Sequence, residues 1–365
     1  MNRWILLLCC VLSLVCSSLA ADSLLYWIST GGTTAKDASK TEIFVVNIAT
    51  GKQRLAFSDA HAQFLLLPGD DTQLDVVTAA GRIFSRGMDR KLYANARADN
   101  PAAIFELSTN GSGKARKLFD ISPETGMGSN VRNLFVSPNG EKVGYIRLLG
   151  GKPYLFIHET SSGHLLRKAD LTQVVFDLYV SNIGWMPDGK RLFFTLDRSE
   201  EDDNWRLPDS QVGSYLINED GSGAVRVAPE PDLHPQRPGL QGDPAAAALL
   251  LGTFPGGQWL VRDTQMGPPP ARPGTYFYAL SLVGKTQKEL PVRVPGQLQC
   301  FRVSPSGNTL AMVAAQRTDE TPGSFKSTKA VWVFDLESNK ERQMLSLTAQ
   351  NGPPAVGLIG WFSRR

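Results

Sequence analysis

The sequence has few cysteines, and most of them lie near its start. Four cysteines occur among the 365 residues; Cys9, Cys10 and Cys16 belong to the N-terminal segment, which leaves Cys300 in the remaining chain. A single cysteine cannot form an internal disulfide, so the folded chain must be stabilised by packing. Cys300 lies in an apolar segment, and the sequence predicts that its thiol is buried as a small hydrophobic group.

Signatures of catalysis and of metal binding are also scarce. The sequence has no Gly-x-Ser-x-Gly motif, which excludes the nucleophile elbow of α/β hydrolases. Its four histidines, His61, His158, His164 and His234, lack the spacing of metal ligands. Residues 218–223 resemble a calcium loop, but they lack the distal glutamate and fit a hairpin turn better. We therefore predict no catalytic residue, no metal site and no cofactor.

Charge of one sign is not in excess. The chain has 38 Lys and Arg residues against 35 Asp and Glu residues, a formal net charge of +3, and no basic stripe stands out. Proteins that bind nucleic acid or an anionic membrane surface concentrate positive charge on one face. Neither nucleic acid nor such a surface is therefore the expected partner.

The longest apolar run is short and lies at the N terminus. Arg3 precedes the apolar residues 5–15, and small residues that suit a signal peptidase end at Ala20. We expect residues 1–20 to form a signal peptide cleaved after Ala20 or Ala21, which exports the chain to the periplasm or beyond.

Two alternatives remain for this segment. The segment could remain uncleaved as a membrane anchor, but a membrane span needs about 20 apolar residues. Alternatively, acylation of Cys16 would make the chain a lipoprotein. In the cleaved form, we expect residues 21–365 to be a single domain with no integral membrane span.

A hairpin pattern recurs along the chain. Residues 133–146, 182–195 and 299–313 each have an apolar strand, a Pro-x-Gly turn and a second apolar strand. Similar short apolar runs separated by Gly, Asn and Ser turns fill the remaining sequence, as in the pairs 63–67 with 74–78 and 103–107 with 115–119. Repetition of this kind predicts an all-β radial architecture.

The number of strands indicates how the ring closes. The first segment has three strands, five sets of four follow, and residues 355–362 form one further strand. We predict a six-bladed β-propeller of four-stranded blades, closed by pairing of the C-terminal strand with the first blade, because this removes an open sheet edge.

The Pro-x-Gly segments also resemble a known family. Residues 185–194, WMPDGKRLFF, are similar to the repeat of TolB-like six-bladed propellers, also called PD40 or WD40-like periplasmic repeats. The resemblance covers nearly the whole mature chain and implies the propeller fold. It leaves out the N-terminal α/β domain of TolB, for which the sequence has no room.

The lengths of the connections predict a binding face. Turns between first and second strands and between third and fourth strands are short. The connections on the opposite face are long in five blades, at residues 30–41, 80–102, 197–213, 263–274 and 315–329. Long connections in compact repeats are often functional.

One connection on this face has the composition of a recognition site. Trp205 is flanked by Arg198 and Arg206, and aromatic and arginine side chains are frequent anchors of interfaces. Four further residues are predicted to approach the same rim: His234, Arg237, Arg272 and Arg317.

These features predict a non-catalytic binding or scaffold protein of the bacterial envelope. Its partner would be a protein or an envelope polymer, and we expect a monomer. The alternative is a propeller enzyme of the lactonase, lyase or hydrolase type, with a site at the mouth of the central channel. The predicted inner strands offer Asn133, Asn182 and Arg302 for such a site.

Overall fold

The structure is a computed structural model, in which all regular secondary structure of the described residues is β-strand. Across these residues there is no apolar helix of membrane-spanning length. The predicted signal peptide lies outside the described residues. The described ranges are 23–30, 40–59, 64–66, 76–89, 102–121, 131–174, 180–186, 188–196, 213–228, 249–253, 258–265, 274–281, 286–294, 296–304, 306–321, 324–350 and 355–362.

The strands are short and follow one another along the chain. They are β1 (Ser23–Thr30), β2 (Lys40–Asn47), β3 (Gln53–Asp59), β4 (Phe64–Leu66), β5 (Val76–Ala79), β6 (Arg82–Asp89), β7 (Ala102–Leu107), β8 (Ala115–Ile121), β9 (Val131–Val136), β10 (Lys142–Leu149), β11 (Lys152–Glu159), β12 (Leu165–Asp170), β13 (Val180–Trp185), β14 (Arg191–Leu196), β15 (Gly213–Asn218), β16 (Val225–Ala228), β17 (Leu249–Thr253), β18 (Gln258–Gln265), β19 (Gly274–Ser281), β20 (Thr286–Glu289), β21 (Gln297–Val303), β22 (Thr309–Thr321), β23 (Ser324–Asp335), β24 (Lys340–Gln350) and β25 (Ala355–Phe362).

Five sheets have the predicted form of a four-stranded antiparallel blade. We number the sheets in chain order: sheet 1 has the order β25-β1-β2-β3, sheet 3 contains β9 to β12, sheet 4 β13 to β16, sheet 5 β17 to β20 and sheet 6 β21 to β24. Sheet 2 has five strands, β4 to β8. The prediction of six four-stranded blades is therefore wrong in its count, because five sheets have that form.

The extra strand of sheet 2 comes from a divided edge. Strand β4 pairs with residues 87–89 of β6, and β5 pairs with residues 82–85 of the same strand. Strand β7 pairs with residues 83–87 of β6. Since a strand has two edges, β4 and β5 must lie one after the other along the edge opposite β7.

Two predictions for this region are wrong. The segments 63–67 and 74–78 do not pair with each other as a hairpin, and the predicted long connection 80–102 contains β6. Strand β6 was missed because its polar residues look like a loop. Ser85 and Arg86 are nevertheless buried, because neighbouring sheets cover them.

The first and last strands pair with each other, as the sequence predicted. Strand β25 is antiparallel to β1, from Ser23 opposite Phe362 to Ser29 opposite Ala355. Apolar side chains of both strands are buried, among them Leu24, Leu25 and Leu358. This pairing covers an edge of β1 that would otherwise be open to other chains.

The core is divided into clusters that each join two neighbouring sheets. Ile43 and Phe57 of sheet 1 pack with Ile83 of sheet 2, and further clusters join sheets 2 and 3, 3 and 4, and 5 and 6. The last cluster joins sheet 6 with sheet 1 and contains Cys300, which is buried as predicted. Sheets 1, 2, 3 and 6 thus bury both faces against neighbours, the arrangement by which repeat proteins are stabilised.

Candidate functional site

Most of the predicted binding residues lie outside the described residues. Of the seven, only Arg317 is described; the others are Arg198, Trp205, Arg206, His234, Arg237 and Arg272.

Side-chain contacts identify one face of the sheets. Arg82 donates hydrogen bonds from Nη1 to Gly140 O at 2.8 Å and to Thr160 Oγ1 at 2.9 Å. Gly140 lies in the turn between β9 and β10, and Thr160 lies in the turn between β11 and β12. Because one side chain reaches both turns, they are on the same side of the molecule, which we call the short-turn face.

A charge cluster on this face links sheets 2 and 3. Glu106 accepts from Arg82 Nε at 2.7 Å through one carboxylate oxygen and from Arg116 Nη2 at 2.6 Å through the other. Arg116 also donates to Thr160 O at 3.3 Å. One carboxylate therefore serves two arginines, and both arginines contact the next sheet.

A second polar link joins sheets 3 and 4 in the same way. Lys142 donates to both carboxylate oxygens of Glu219 at 2.8 Å, and Trp185 Nε1 donates to one of them at 2.9 Å. These side chains form hydrogen bonds between sheets 3 and 4, and we therefore assign them a structural role.

Sequence reasoning missed a recurrent arginine in the outer strands. Arg54 donates to Thr109 O at 2.6 Å, and Arg342 donates to Ile48 O at 3.0 Å, in each case in a turn of the next sheet. Arg116 has the corresponding contact described above. Each arginine lies three positions after a residue with positive φ, namely Gly51, Gly113 and Asn339. This spacing is the signal by which the sequence could have identified these arginines.

The turn at residues 218–223 is a hairpin turn, as predicted. Asn218 N donates to Ser222 O at 3.0 Å, and the carboxylate of Asp220 accepts from Ser222 N at 2.9 Å. The side-chain and backbone hydrogen bonds from Ser222 lower the pKa of Asp220. No group of three potential metal ligands occurs in the described ranges.

Sheet 6 extends away from the short-turn face. Strand β21 begins at Gln297, which pairs with Ala315, whereas β22 and β23 continue as a hairpin to the pair Thr321 and Ser324. Strand β24 continues beside them to Gln350. Six residues beyond Ala315 correspond to about 20 Å of strand. We call residues 316–321, 324–329 and 347–350 the sheet 6 extension.

The extension corrects the predicted long connection at residues 315–329. The described residues of this segment form two paired strands, and Arg317 is a strand residue. Its polar Thr, Ser and Lys side chains look like a loop in the sequence, but cross-strand partners continue the ladder. Thr328 and Thr348, for example, have their hydroxyl oxygens 3.1 Å apart.

Arg317 lies on an aromatic ring in this extension. Its guanidinium carbon is 4.1 Å from the ring centre of Phe325, which is half-buried, and Arg317 itself is exposed. A cation over an aromatic face is attracted by the ring's quadrupole, which holds the arginine in one orientation. The extension thus presents an oriented positive group together with an apolar ring.

The inner strands carry a β-bulge in four blades, and sheet 1 has one between β25 and β1. Register shifts occur beside residues 133, 181, 251, 299 and 359. At the first of these Asn133 has a φ of 58°, a left-handed conformation that asparagine tolerates. Bulges turn side chains and are frequent near functional sites.

Arg302, proposed for the alternative channel site, bonds to backbone. Its Nη1 donates to Phe301 O at 2.8 Å and its Nε donates to Ile359 O at 3.3 Å, which links the inner strands of sheets 6 and 1. The side chain of Asn182 is outside the described part.

An aromatic stack lies between sheets 2 and 3. The ring centres of Phe119 and His158 are 3.8 Å apart with an interplanar angle of 7°, and Tyr145 stacks with Phe156 at 5.2 Å. His158 Nδ1 is 3.0 Å from Gly163 O, so this nitrogen donates and Nε2 faces the Tyr145 hydroxyl at 3.4 Å. Burial lowers the pKa of His158, because a charged imidazole would lose its hydration.

The free energy of unfolding is expected to fall as pH decreases below about 6.5, the ordinary pKa of histidine. The pKa of His158 is lowered in the folded protein, so the unfolded chain binds the proton first and becomes favoured. His158→Phe keeps a ring in the stack and should flatten the pH dependence in urea unfolding between pH 7.5 and 5.5. His164→Gln removes only the smallest of the causes that lower this pKa and should keep most of the slope, whereas an unchanged slope in His158→Phe would contradict this explanation.

Comparison with known proteins identifies the fold of the chain. No known protein family and no curated protein sequence matches this chain. TolB from Acinetobacter baumannii has a similar structure, with a TM-score of 0.53 and 13% sequence identity over 93% of this chain and 66% of the TolB chain. The chain has a β-propeller fold. At this identity the likeness shows the fold alone, and this chain covers less than two thirds of TolB.

Two further solved structures have lower TM-scores. A nidogen/laminin complex has a TM-score of 0.48 at 12% identity, covering 94% of this chain and 99% of the matched chain. The propeller domain of the trilobed protease from Pyrococcus furiosus has a TM-score of 0.43 at 9% identity, covering 88% and 92%.

Proposed function

We propose that this propeller is an exported, non-catalytic binding protein of the bacterial envelope. It recognises a protein or an envelope polymer through the face opposite the short-turn face. The observation that carries the proposal is the sheet 6 extension, which projects from that face and presents Arg317 on Phe325. Arginine and aromatic side chains are the residue types that dominate binding energies at interfaces.

The proposal includes one closed ring of six sheets. Sheet 2 occupies a blade position, with β4 and β5 together in place of one inner strand. The apolar clusters between neighbouring sheets and the pairing of β25 with β1 support this arrangement. In such a ring the connections predicted to be long would lie around one rim, and we propose that the remaining predicted binding residues lie on that rim with the extension: Arg198, Trp205, Arg206, His234, Arg237 and Arg272.

The two faces differ in whether their charged side chains bond to neighbouring sheets or are exposed. On the short-turn face Glu106, Glu219 and their cationic partners bond to neighbouring sheets. The extension carries Arg317 and Lys326 at exposed positions. A partner with acidic or hydroxyl groups beside an apolar group would complement this surface.

The test is capture of a partner from envelope extract by the full chain, followed by direct binding of the purified partner. We expect the double variant Arg317→Ala with Phe325→Ala to bind at least tenfold more weakly, since truncation of such anchors typically removes more than about 1.4 kcal/mol of binding energy. Arg167→Ala removes an exposed arginine from the outer strand of sheet 3 and should bind like wild type.

Two results would overturn the proposal. One is equal binding by the double variant and the wild type, which would move the interface elsewhere. The other is turnover of a lactone or a sugar by the purified protein without capture of any partner. A stoichiometric bound metal would point the same way, towards the propeller-enzyme alternative.

A further inference from the structure

Two buried arginines lie on the facing sides of sheets 2 and 3. Cross-strand partners lie on the same side of a sheet, and Arg86 of β6 is the partner of Ile104 in β7. Ile104 packs in the cluster with Val143 and Tyr145 of sheet 3. The side of β6 that carries Arg86 is therefore the side that faces sheet 3.

Arg147 comes from the opposite wall of the same gap. Arg147 lies two residues after Tyr145 and four after Val143 along β10, and every second residue of a strand is on the same side. Val143 and Tyr145 belong to the cluster with sheet 2, so Arg147 is also on the side that faces sheet 2. Arg147 is 8% exposed and Arg86 is 7% exposed. Two guanidinium groups are thus withdrawn from water in one gap between sheets.

The two groups lie at a similar height. Arg82 and Lys142 begin β6 and β10 at the short-turn face, and Arg86 and Arg147 follow them by four and five residues. At about 3.3 Å per residue both are roughly 13 to 17 Å from that face, towards the opposite end of the gap. The adjoining turn at Gly150 and Gly151 has open space where a side chain would be.

Arg147 has no ion-pair partner in the described part of the chain. Its Nε is buried without a hydrogen-bond partner, and none of the ion pairs of the described residues includes it. A guanidinium group does not lose its proton in proteins, so its buried charge and donors require an acceptor. At the other end of the same gap, Arg82 and Arg116 share the carboxylate of Glu106.

We propose that this end of the gap binds an oxyanion, which takes the place that Glu106 has at the other end. Two oxygens of a phosphate group or a carboxylate match the planar fork of a guanidinium group. Arg147 supplies the donors, and Arg86 lies on the facing wall. The site does not depend on the proposed partner-binding role, since it uses sheets 2 and 3 and not the sheet 6 extension.

The experiment measures thermal unfolding of the full chain during titration with inorganic phosphate and, separately, with acetate, at constant ionic strength set by chloride. We expect a saturable rise in Tm with at least one of the two anions. Arg147→Met should abolish the rise, Arg147→Lys should weaken apparent binding at least tenfold because the fork is lost, and the exposed Arg167→Met should respond like wild type. In the chloride buffer without phosphate or acetate, Arg147→Met should be at least as stable as wild type, because it removes an uncompensated buried charge.

The anion arms identify the ligand class: a response to phosphate alone indicates a phosphate group, and a response to both indicates carboxylates as well. No saturable response of the wild type to either anion would overturn the proposal, and Arg147→Met would then be expected to lose stability. That result would mean that a carboxylate of the chain itself pairs with Arg147. An equal response in Arg147→Met and wild type would also overturn it, since the anion would then act elsewhere.

Discussion

A chain truncated after residue 354 is expected to lose its cooperative unfolding transition. The truncation removes β25, which pairs along β1 and contributes to two apolar clusters at once, those between sheets 1 and 2 and between sheets 6 and 1. Its buried large apolar side chains are Val356, Leu358, Ile359, Trp361 and Phe362.

The expected size of this effect follows from burial. Full burial of one large apolar side chain contributes about 1.5 to 3 kcal/mol, so these five contribute roughly 8 to 15 kcal/mol. That sum is as large as the whole stability of a typical protein, about 5 to 15 kcal/mol. The exposed edge of β1 would in addition favour aggregation.

Circular dichroism and urea unfolding followed by tryptophan fluorescence test this expectation. A chain that ends at residue 362 is the matched control and should unfold like the full protein. A synthetic peptide of residues 355–362, added to the truncated chain, should restore part of the transition. If the chain ending at residue 354 unfolds cooperatively at the same urea concentration as the control, β25 is dispensable and the proposed ring closure is wrong.

Glu106→Gln is expected to lower the free energy of unfolding by about 1 to 2 kcal/mol at pH 7. The substitution removes a charge that accepts hydrogen bonds from two arginines, Arg82 and Arg116. Hydrogen bonds to charged groups contribute about 1.5 to 3 kcal/mol, and the value is reduced because the arginines are partly exposed and screened by solvent.

The same substitution should change the dependence of stability on pH. Burial raises the pKa of Glu106, but the hydrogen bonds and charges of Arg82 and Arg116 more than offset this and lower it overall. The contribution of the carboxylate is therefore complete above the ordinary pKa of about 4.3 and is lost as pH falls through the lower folded value. In urea unfolding between pH 7 and pH 3, the free energy of unfolding of Glu106→Gln should therefore not show this loss.

The control is Glu337→Gln, at an exposed turn position. It should retain both the stability and the pH dependence of wild type. Equal stability of Glu106→Gln and wild type at pH 7 would show that the charge cluster does not stabilise the contact between sheets 2 and 3.

Local patterns were enough to predict most blades. The alternation of apolar residues and the short turns at Gly140, Gly189 and Gly307 predicted the inner hairpins of sheets 3, 4 and 6, and the pairing of residues 355–362 with the first strands followed from counting strands. These features depend on backbone conformation and on partners close in sequence, with the single exception of the chain ends. The sequence therefore determined the fold class and the form of the four-stranded blade.

Only the tertiary structure decided which polar residues are covered. Ser85, Arg86 and Arg147 have the composition of a surface, yet the neighbouring sheet buries them, and Arg317 belongs to a strand because β23 continues beside it. In each case the group that covers or pairs with the residue comes from another sheet or another strand, which no local pattern encodes. Hence the sequence determined where strands and turns form, whereas the packing of sheets on one another decided which arginines bond across the short-turn face and which are buried between sheets.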